Sequence, residues 1–324
     1  MIITLAIALL QISQQPTYDH VILISVDGLR SDALLTEQAK SFKNFQRLLK
    51  GANTLNARTD CDFTTTLPNH TGMLTSRLVN GPQGHGYTAN TTPAVGVVLN
   101  DINGNLIQSI YDQTAAAKIH SGLIASKNKF ILFQQSYPQL IDDFFINKNG
   151  DAELEHLIQG LNDNRSKRSF NFIHFLHPDV AGHLYGWNLS GDSKYMQAVA
   201  AVDSLLGDLF AWLDANPQYA AATAIVLTSD HGGGAPHKNH HGIGHLWVNY
   251  IIPFIVWTGD GKANGDLFEL NPSTHSDPGL NDPRPTDNKP SIRNADAGNL
   301  CLYLLGLPSI INSTRNVQQN IKIN

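Results

Sequence analysis

Apolar residues are distributed along this chain in two rhythms. Short β-branched runs stop abruptly at an Asp or His, and between them longer stretches repeat apolar residues every three or four positions. Residues 20–26 (HVILISV) make the first run, the pattern of a buried parallel strand, and Asp27-Gly28 stand at its carboxyl end. A helix is predicted over 31–49, capped by Ser31 or Asp32, with Phe42, Phe45, Leu48 and Leu49 at helical spacing. A second strand over 53–58 leads into a Thr-rich loop, and a helix over 68–75 starts at Pro68. Residues 81–90 read as glycine-rich loop, 107–118 as helix, 120–125 and 130–133 as strands, and 151–161 as helix. The strand at 169–176 delivers His177-Pro178-Asp179, and 193–216 is the clearest helix of all. A strand over 222–227 ends in Thr228-Ser229-Asp230-His231-Gly232, and another covers 251–257. Residues 258–292 read as loop, and 294–305 as a closing helix stopped by Gly306. Strands alternating with helices predict an α/β fold, a mainly parallel central sheet flanked by helices, in one domain over 18–324.

Composition narrows the classes. The chain has 324 residues, 42% hydrophobic and 15% charged, which describes a globular protein rather than a disordered one. With a net charge of -5 and no Lys/Arg run, long nucleic acid is not an expected partner. Residues 2–10 (IITLAIALL), followed by polar 11–17, resemble the apolar core of a secretory signal peptide, so 1–17 is expected to be a leader and the protein secreted or periplasmic. The run is too short to cross a bilayer, and no other segment is expected to do so. Cys61 and Cys301 form no CxxC pattern and are expected to be free thiols.

Chemistry gathers at the strand ends. Asp27, Asp179 and Asp230 all follow predicted strands, the edge at which open α/β sheets bind ligands. The 14 His concentrate at 174–183 and 231–245; His183 follows Asp179 by four residues, and His231 adjoins Asp230. Oxygen and nitrogen donors of this kind suit zinc or a similar divalent ion, and six of them, with His241, divide into two sets of three. Two such ions hold the attacking and leaving oxygens of a phosphoryl displacement. A nucleophile is on offer in Thr64, Thr65 and Thr66, just ahead of a helix start whose N–H groups favour an anion. His237, His240 and His245 compete with His241 as ligands.

The order Asp27-Gly28, Thr66-Leu-Pro-Asn-His70, His85-Gly86 with Asn90, Pro178-Asp179 with Gly182-His183, Ser229-Asp-His-Gly232 and His241-Gly242 resembles the alkaline phosphatase superfamily. Within it, the match is to the type I phosphodiesterase/nucleotide pyrophosphatase branch, over residues 21–307. The resemblance implies one zinc site from Asp27, Thr66, Asp230 and His231, and another from Asp179, His183 and His241. It implies that Thr66 is the nucleophile, in front of a Leu-Pro-Asn-His that replaces the family's common Phe-Pro-Asn-His. Asn90 matches the amide that binds a phosphoryl oxygen, although a loop Asn also stabilises turns. His85 reads as a loop residue, His174 as a core histidine, and Cys61 as packing.

The expected activity is hydrolysis of a small phosphate ester, a diester or nucleotide pyrophosphate, through a phosphothreonine intermediate. A phosphomonoesterase or phosphonate hydrolase would use the same site, and a silent metal- or phosphate-binding protein would keep it without turnover. A sulfatase would need Cys or Ser in a Cys/Ser-x-Pro-x-Arg setting, which is absent.

Overall fold

The computed structural model describes residues 18–324 apart from 283, 285 and 286, so the leader expected over 1–17 lies outside the described residues. Eight strands form one sheet: β1 (His20–Val26), β2 (Ala52–Arg58), β3 (His120–Ala125), β4 (Asp143–Ile146), β5 (Ser169–Phe175), β6 (Thr223–Thr228), β7 (Ile251–Thr258) and β8 (Gly265–Asp266). Their spatial order is β4-β3-β5-β1-β6-β7-β2-β8. Only β7 runs against the rest, pairing antiparallel with β6 and β2. The sheet is therefore mainly parallel, with β1 near its middle.

Helices cover both faces: α1 (Lys43–Leu48), α2 (Thr66–Thr75), α3 (Ile110–Ala116), α4 (Ile131–Ser136), α5 (Gly150–Asp163), α6 (His177–Tyr185), α7 (Lys194–Ala215), α8 (Pro217–Ala221), α9 (Trp247–Tyr250), α10 (Leu267–Leu270) and α11 (Ala297–Leu304). Alternation along β1 divides the core. Val21 and Leu23 pack with α2, α3, α4 and α11 on one face, whereas Ile22, Ile24 and Val26 pack with α1, α5 and α7 on the other. Apolar side chains on both faces are why the central strands carry no polar stripe.

Several sequence expectations are corrected. The helix expected over 31–49 is broken into 3-10 turns at Ser31–Leu35 and Gln38–Ser41 followed by α1, because Thr36 is extended. The entry to α1 is built by a distant residue: Asp203 Oδ1 on α7 accepts from the N–H groups of Asn44 (3.0 Å) and Phe45 (2.7 Å). Residues 130–133 are not a strand but lie in the Asn128–Phe130 turn and α4, with Phe130 and Phe133 facing the core; the edge strand is β4. Helix α2 starts two residues before its expected start, which puts Pro68 third rather than first, still within the turn whose N–H groups need no helical partner. Helix α7 is long and apolar enough to cross a membrane, contrary to expectation, but its Met196, Val199, Leu206 and Leu209 are buried against the sheet. The loop expected over 258–292 contains the short β8 and α10, and α6 was not anticipated.

Both thiols are free, Cys301 within the core. Asp203→Ala is expected to cost about 1–3 kcal/mol by stranding two N–H groups at the start of α1. Urea unfolding measures it, and an unchanged midpoint would show that α1 is held by its apolar face alone.

Candidate active site

Strands β3, β5, β1 and β6 are adjacent and parallel, and each ends at the same edge of the sheet. Beyond β1 comes Asp27, beyond β6 Asp230 and His231, beyond β5 Asp179 in the first turn of α6, and beyond β3 Lys127. Backbone bonds carry the ladder past the strands: the Asp27 N–H donates to Phe175 O (2.9 Å) and the Asp179 N–H to Asp27 O (3.0 Å). Gly28 allows this approach. Its φ is +71°, and a Cβ there would stand 2.9 Å from the Asp179 Cα.

Each carboxylate has one oxygen engaged and one bare. Asp27 Oδ2 takes His174 Nε2 at 2.9 Å and Lys127 Nζ at 2.6 Å, and the same ammonium reaches Asp179 Oδ2 at 2.6 Å. Asp230 Oδ1 accepts from the N–H groups of Gly28 (3.1 Å) and His231 (2.9 Å). Asp27 Oδ1, Asp179 Oδ1, Asp230 Oδ2 and His231 Nε2 are left buried without a hydrogen-bond partner. They are mutual neighbours: His231 Nε2 is 3.5 Å from Asp27 Oδ1, 3.3 Å from Asp230 Oδ2 and 4.0 Å from Asp179 Oδ1.

The imidazoles are oriented by their other nitrogens. His231 Nδ1 faces Gly232 O (2.8 Å), His241 Nδ1 faces Thr64 O (2.6 Å) and His183 Nδ1 faces Asn239 O (3.2 Å). A carbonyl oxygen can only accept, so in each neutral ring the proton is on Nδ1 and the lone pair on Nε2. The Nε2 atoms of His241 and His183 stand 3.1 Å apart, and His183 Nε2 is 3.3 Å from Asp179 Oδ1. Facing lone pairs and bare carboxylate oxygens could hold a cation, and oxygen-nitrogen donors of this kind fit zinc or a similar divalent ion.

The ligand atoms of Asp27, Asp230 and His231 lie within 4.8 Å of one another, as do those of Asp179, His231 and His241. His231 belongs to both groups, and His183 to neither. His241 is buried whereas His237, His240 and His245 are not.

Burial is the largest influence on the titratable groups at the centre of the site. Burial alone would push the Asp27 carboxyl up, but Lys127, His174 and His231 hold it well below the carboxylate range. Burial and the Asp27 charge push Asp230 well above that range. Burial, with His241 beside it, pushes His231 down to about 3. The Asp179 carboxylate, 3.3 Å away, raises His183.

The three threonines have separate surroundings. The Thr64 hydroxyl donates to His241 O; Thr65 is the N-cap of α2, its hydroxyl buried without a partner; Thr66 opens the helix. His70, one turn into α2, binds Thr66 O at 2.7 Å and Ser25 Oγ at 2.8 Å, and its Nδ1 is 3.8 Å from Asp230 Oδ2. Asn90 accepts through Oδ1 from the Leu67 N–H (3.0 Å) and from Lys129 Nζ (2.9 Å), so its amide is fixed beside the start of α2.

Sequence reading missed Lys127 and Lys129. Their signal was position: Ser126-Lys-Asn-Lys129 directly follows β3 at the edge that carries the aspartates. His174 is a core histidine, as expected, but it also holds Asp27, with Ser126 Oγ at 2.7 Å from its Nδ1. His85 is a buried loop residue whose Nδ1 accepts from the Tyr87 N–H.

A sequence profile described as type I phosphodiesterase / nucleotide pyrophosphatase matches residues 21–251. No curated protein sequence matches the chain. Among solved structures, murine ectonucleotide pyrophosphatase/phosphodiesterase 5 is similar with a TM-score of 0.60 and 15% identity, covering 93% of this chain and 99% of that one. A structure of the inactive threonine-to-alanine variant of the murine protein, in complex with AMP, has a TM-score of 0.60 and 15% identity, with coverage of 95% and 100%. The periplasmic domain of phosphoethanolamine transferase EptC from Campylobacter jejuni has a TM-score of 0.62 and 12% identity, with coverage of 97% and 98%. These superpositions show a shared fold, alkaline phosphatase-like, as expected.

Glu153 of α5 is shut in beside Ser126. Neither of its oxygens has a hydrogen-bond partner, and burial pushes its carboxyl from 4.5 up to about 9. The folded value lies above the unfolded one, so this group's stabilising contribution is complete below about pH 4.5 and is lost as pH rises to about 9. Glu153→Gln is expected to flatten the fall in stability across that window. Urea midpoints at successive pH values measure the slope, and parallel profiles would show Glu153 to be ionised in the fold.

Proposed function

We infer the function of this chain from its family: it belongs to the type I phosphodiesterase / nucleotide pyrophosphatase family. It is an enzyme acting on phosphate esters. We propose that it cleaves phosphodiesters or nucleotide pyrophosphates by two successive displacements at phosphorus, with Thr66 as nucleophile. The observation that carries this reading is the convergence of four buried, unpartnered donor atoms, on Asp27, Asp179, Asp230 and His231, at the sheet edge where α2 begins.

In this reading Asp27, Thr66, Asp230 and His231 hold one divalent ion, and Asp179, His183 and His241 the other. Bound there, the ions lower the pKa of a hydroxyl or water and offset charge on the phosphoryl oxygens. Thr66 attacks in line and expels the leaving alcohol or phosphate, the phosphothreonine keeps the other ester group, and water then releases it as a phosphomonoester. The Asn90 amide and the N–H groups that open α2 bind the equatorial oxygens as their charge grows, and one such donor is worth about 2.7–4 kcal/mol. Lys127 holds Asp27 and Asp179 in place by bridging them, and His174 keeps Asp27 from turning. The inactive threonine-to-alanine variant of the murine relative supports a threonine nucleophile in this fold.

A second reading rests on the lysines. Lys129 stands on the Asn90 carbonyl, which adds a cation next to the amide proposed to bind the phosphoryl group. A monoester dianion gains more from that charge than a diester monoanion does. Phosphomonoester hydrolysis is therefore the rival activity on the same site.

Thr66→Ala is expected to lower bis-aryl phosphate hydrolysis by about a thousandfold or more, and Thr65→Ala to leave most of it; the opposite order would transfer the role to Thr65. Elemental analysis should find about two ions per chain. Lys129→Met is expected to reduce the rate on aryl phosphate more than on bis-aryl phosphate, and an equal loss on both would remove the charge argument for a monoester.

A further inference from the structure

Four arginines are at most 5% exposed: Arg58, Arg77, Arg293 and Arg315. Arg315 pairs with Asp296 at 2.8 Å and Arg293 with Asp282 at 3.0 Å. Arg58 has no carboxylate but donates to the carbonyl oxygens of Asn56, Ala57, Gly279 and Asn281 over 2.7–3.1 Å. Arg77 has neither arrangement. It makes two long bonds to carbonyls, Gln83 O at 3.2 Å and Ile311 O at 3.4 Å, and its Nε has no partner. Among the described residues no carboxylate forms an ion pair with it. Asp101, the acidic residue nearby, accepts through Oδ1 from the N–H groups of Asn103 and Asn105 and through Oδ2 from the Asn105 side-chain amide.

A buried guanidinium with no carboxylate in direct contact is costly unless something else supplies the charge, and Asp101 acts on Arg77 only across a gap. Arg77 forms part of the wall of a cavity of about 620 Å³. Its other walls bring side-chain amides from Gln83, Asn100, Asn103 and Asn312, and Gly81 and Gly86 present bare backbone with open space where a side chain would stand. The Asp101 carboxylate also lines the cavity, and among the described residues the one aromatic ring in its wall is the His85 imidazole. Arg77 lies two residues past the end of α2, a helix roughly 15 Å long that starts at Thr66, and none of the strand-end carboxylates lines the cavity.

We propose that this cavity is a binding site for a small hydroxyl-rich organic anion, a polyol or sugar carrying a phosphate or carboxylate. The oxyanion sits on Arg77, whose planar fork suits two oxygens, and the amides take the hydroxyls. The volume is within the range of small-molecule sites. The site does not depend on the phosphoryl-transfer reading.

Calorimetry on the zinc-loaded full chain tests it with three probes: glucuronate, the non-hydrolysable phosphonate analogue of glucose 6-phosphate, and uncharged sorbitol. The two anions are expected to bind and sorbitol not, with the tighter anion identifying the head group. Arg77→Met should weaken binding at least roughly tenfold and leave bis-aryl phosphate hydrolysis unchanged; Thr66→Ala should leave the binding unchanged. Should Arg77→Met fail to fold, Gln83→Glu at the exposed rim provides a tethered counter-ion and should displace the anions by the same order. Undiminished binding in both rim and Arg77 variants, absence of binding in the parent, or loss with Thr66→Ala would overturn the proposal.

Discussion

The constraint on which this structure rests is the carboxylate of Asp27, wholly buried at the end of the central strand. An isolated carboxylate there would be untenable, since desolvation costs several kcal/mol even after relaxation. It is tolerated because Lys127 arrives from β3 and His174 from β5, both at hydrogen-bond distance. That requirement fixes the order β3-β5-β1 and the level at which the strands stop. Lys127 also binds Asp179, so one ammonium holds two carboxylates whose neighbouring charges would otherwise drive them apart. On the far side, β6 places Asp230 against the Gly28 N–H. Sheet topology and charge placement are thus one problem with one solution.

Much of this was legible in the sequence because the chemistry is written at strand ends. The runs ending in Asp27, Asp179 and Asp230 were visible as short apolar segments cut off by an acid, and the α/β alternation followed from their spacing. The lysines were not legible. No motif distinguishes Lys127 from a surface lysine, and the stretch just after it, 130–133, reads equally well as strand or as buried helix because Phe130 and Phe133 are apolar in either geometry. The break in 31–49 was hidden for another reason: the residue that organises α1, Asp203, lies on α7, 159 positions from Asn44. His174 shows a mixed case. Its place in the core could be read from the strand pattern, but its bond to Asp27 depends on which strands adjoin.

The start of α2 shows how a single element serves both fold and site. Its N-terminal N–H groups need an acceptor, and Asn90 takes the Leu67 N–H. One turn on, His70 ties the Thr66 carbonyl to Ser25 of β1. Thr66 is thus tied, through its own peptide, to the strand that carries Asp27. The threonine triplet looked repetitive as a sequence, yet each member has a different surrounding, and only the order of the helix start distinguishes them.

One further consequence concerns the bare atoms. Four buried donor atoms without partners are a standing cost to the folded chain, and a divalent ion bound by the native state alone would relieve it. Ligand binding of that kind adds RT ln(1 + [L]/Kd) to the unfolding free energy, about 2.7 kcal/mol at a hundredfold excess over Kd. The ion is then part of the folding equilibrium as well as the chemistry. The concentration of free metal where the chain folds would set how much of it reaches the native state.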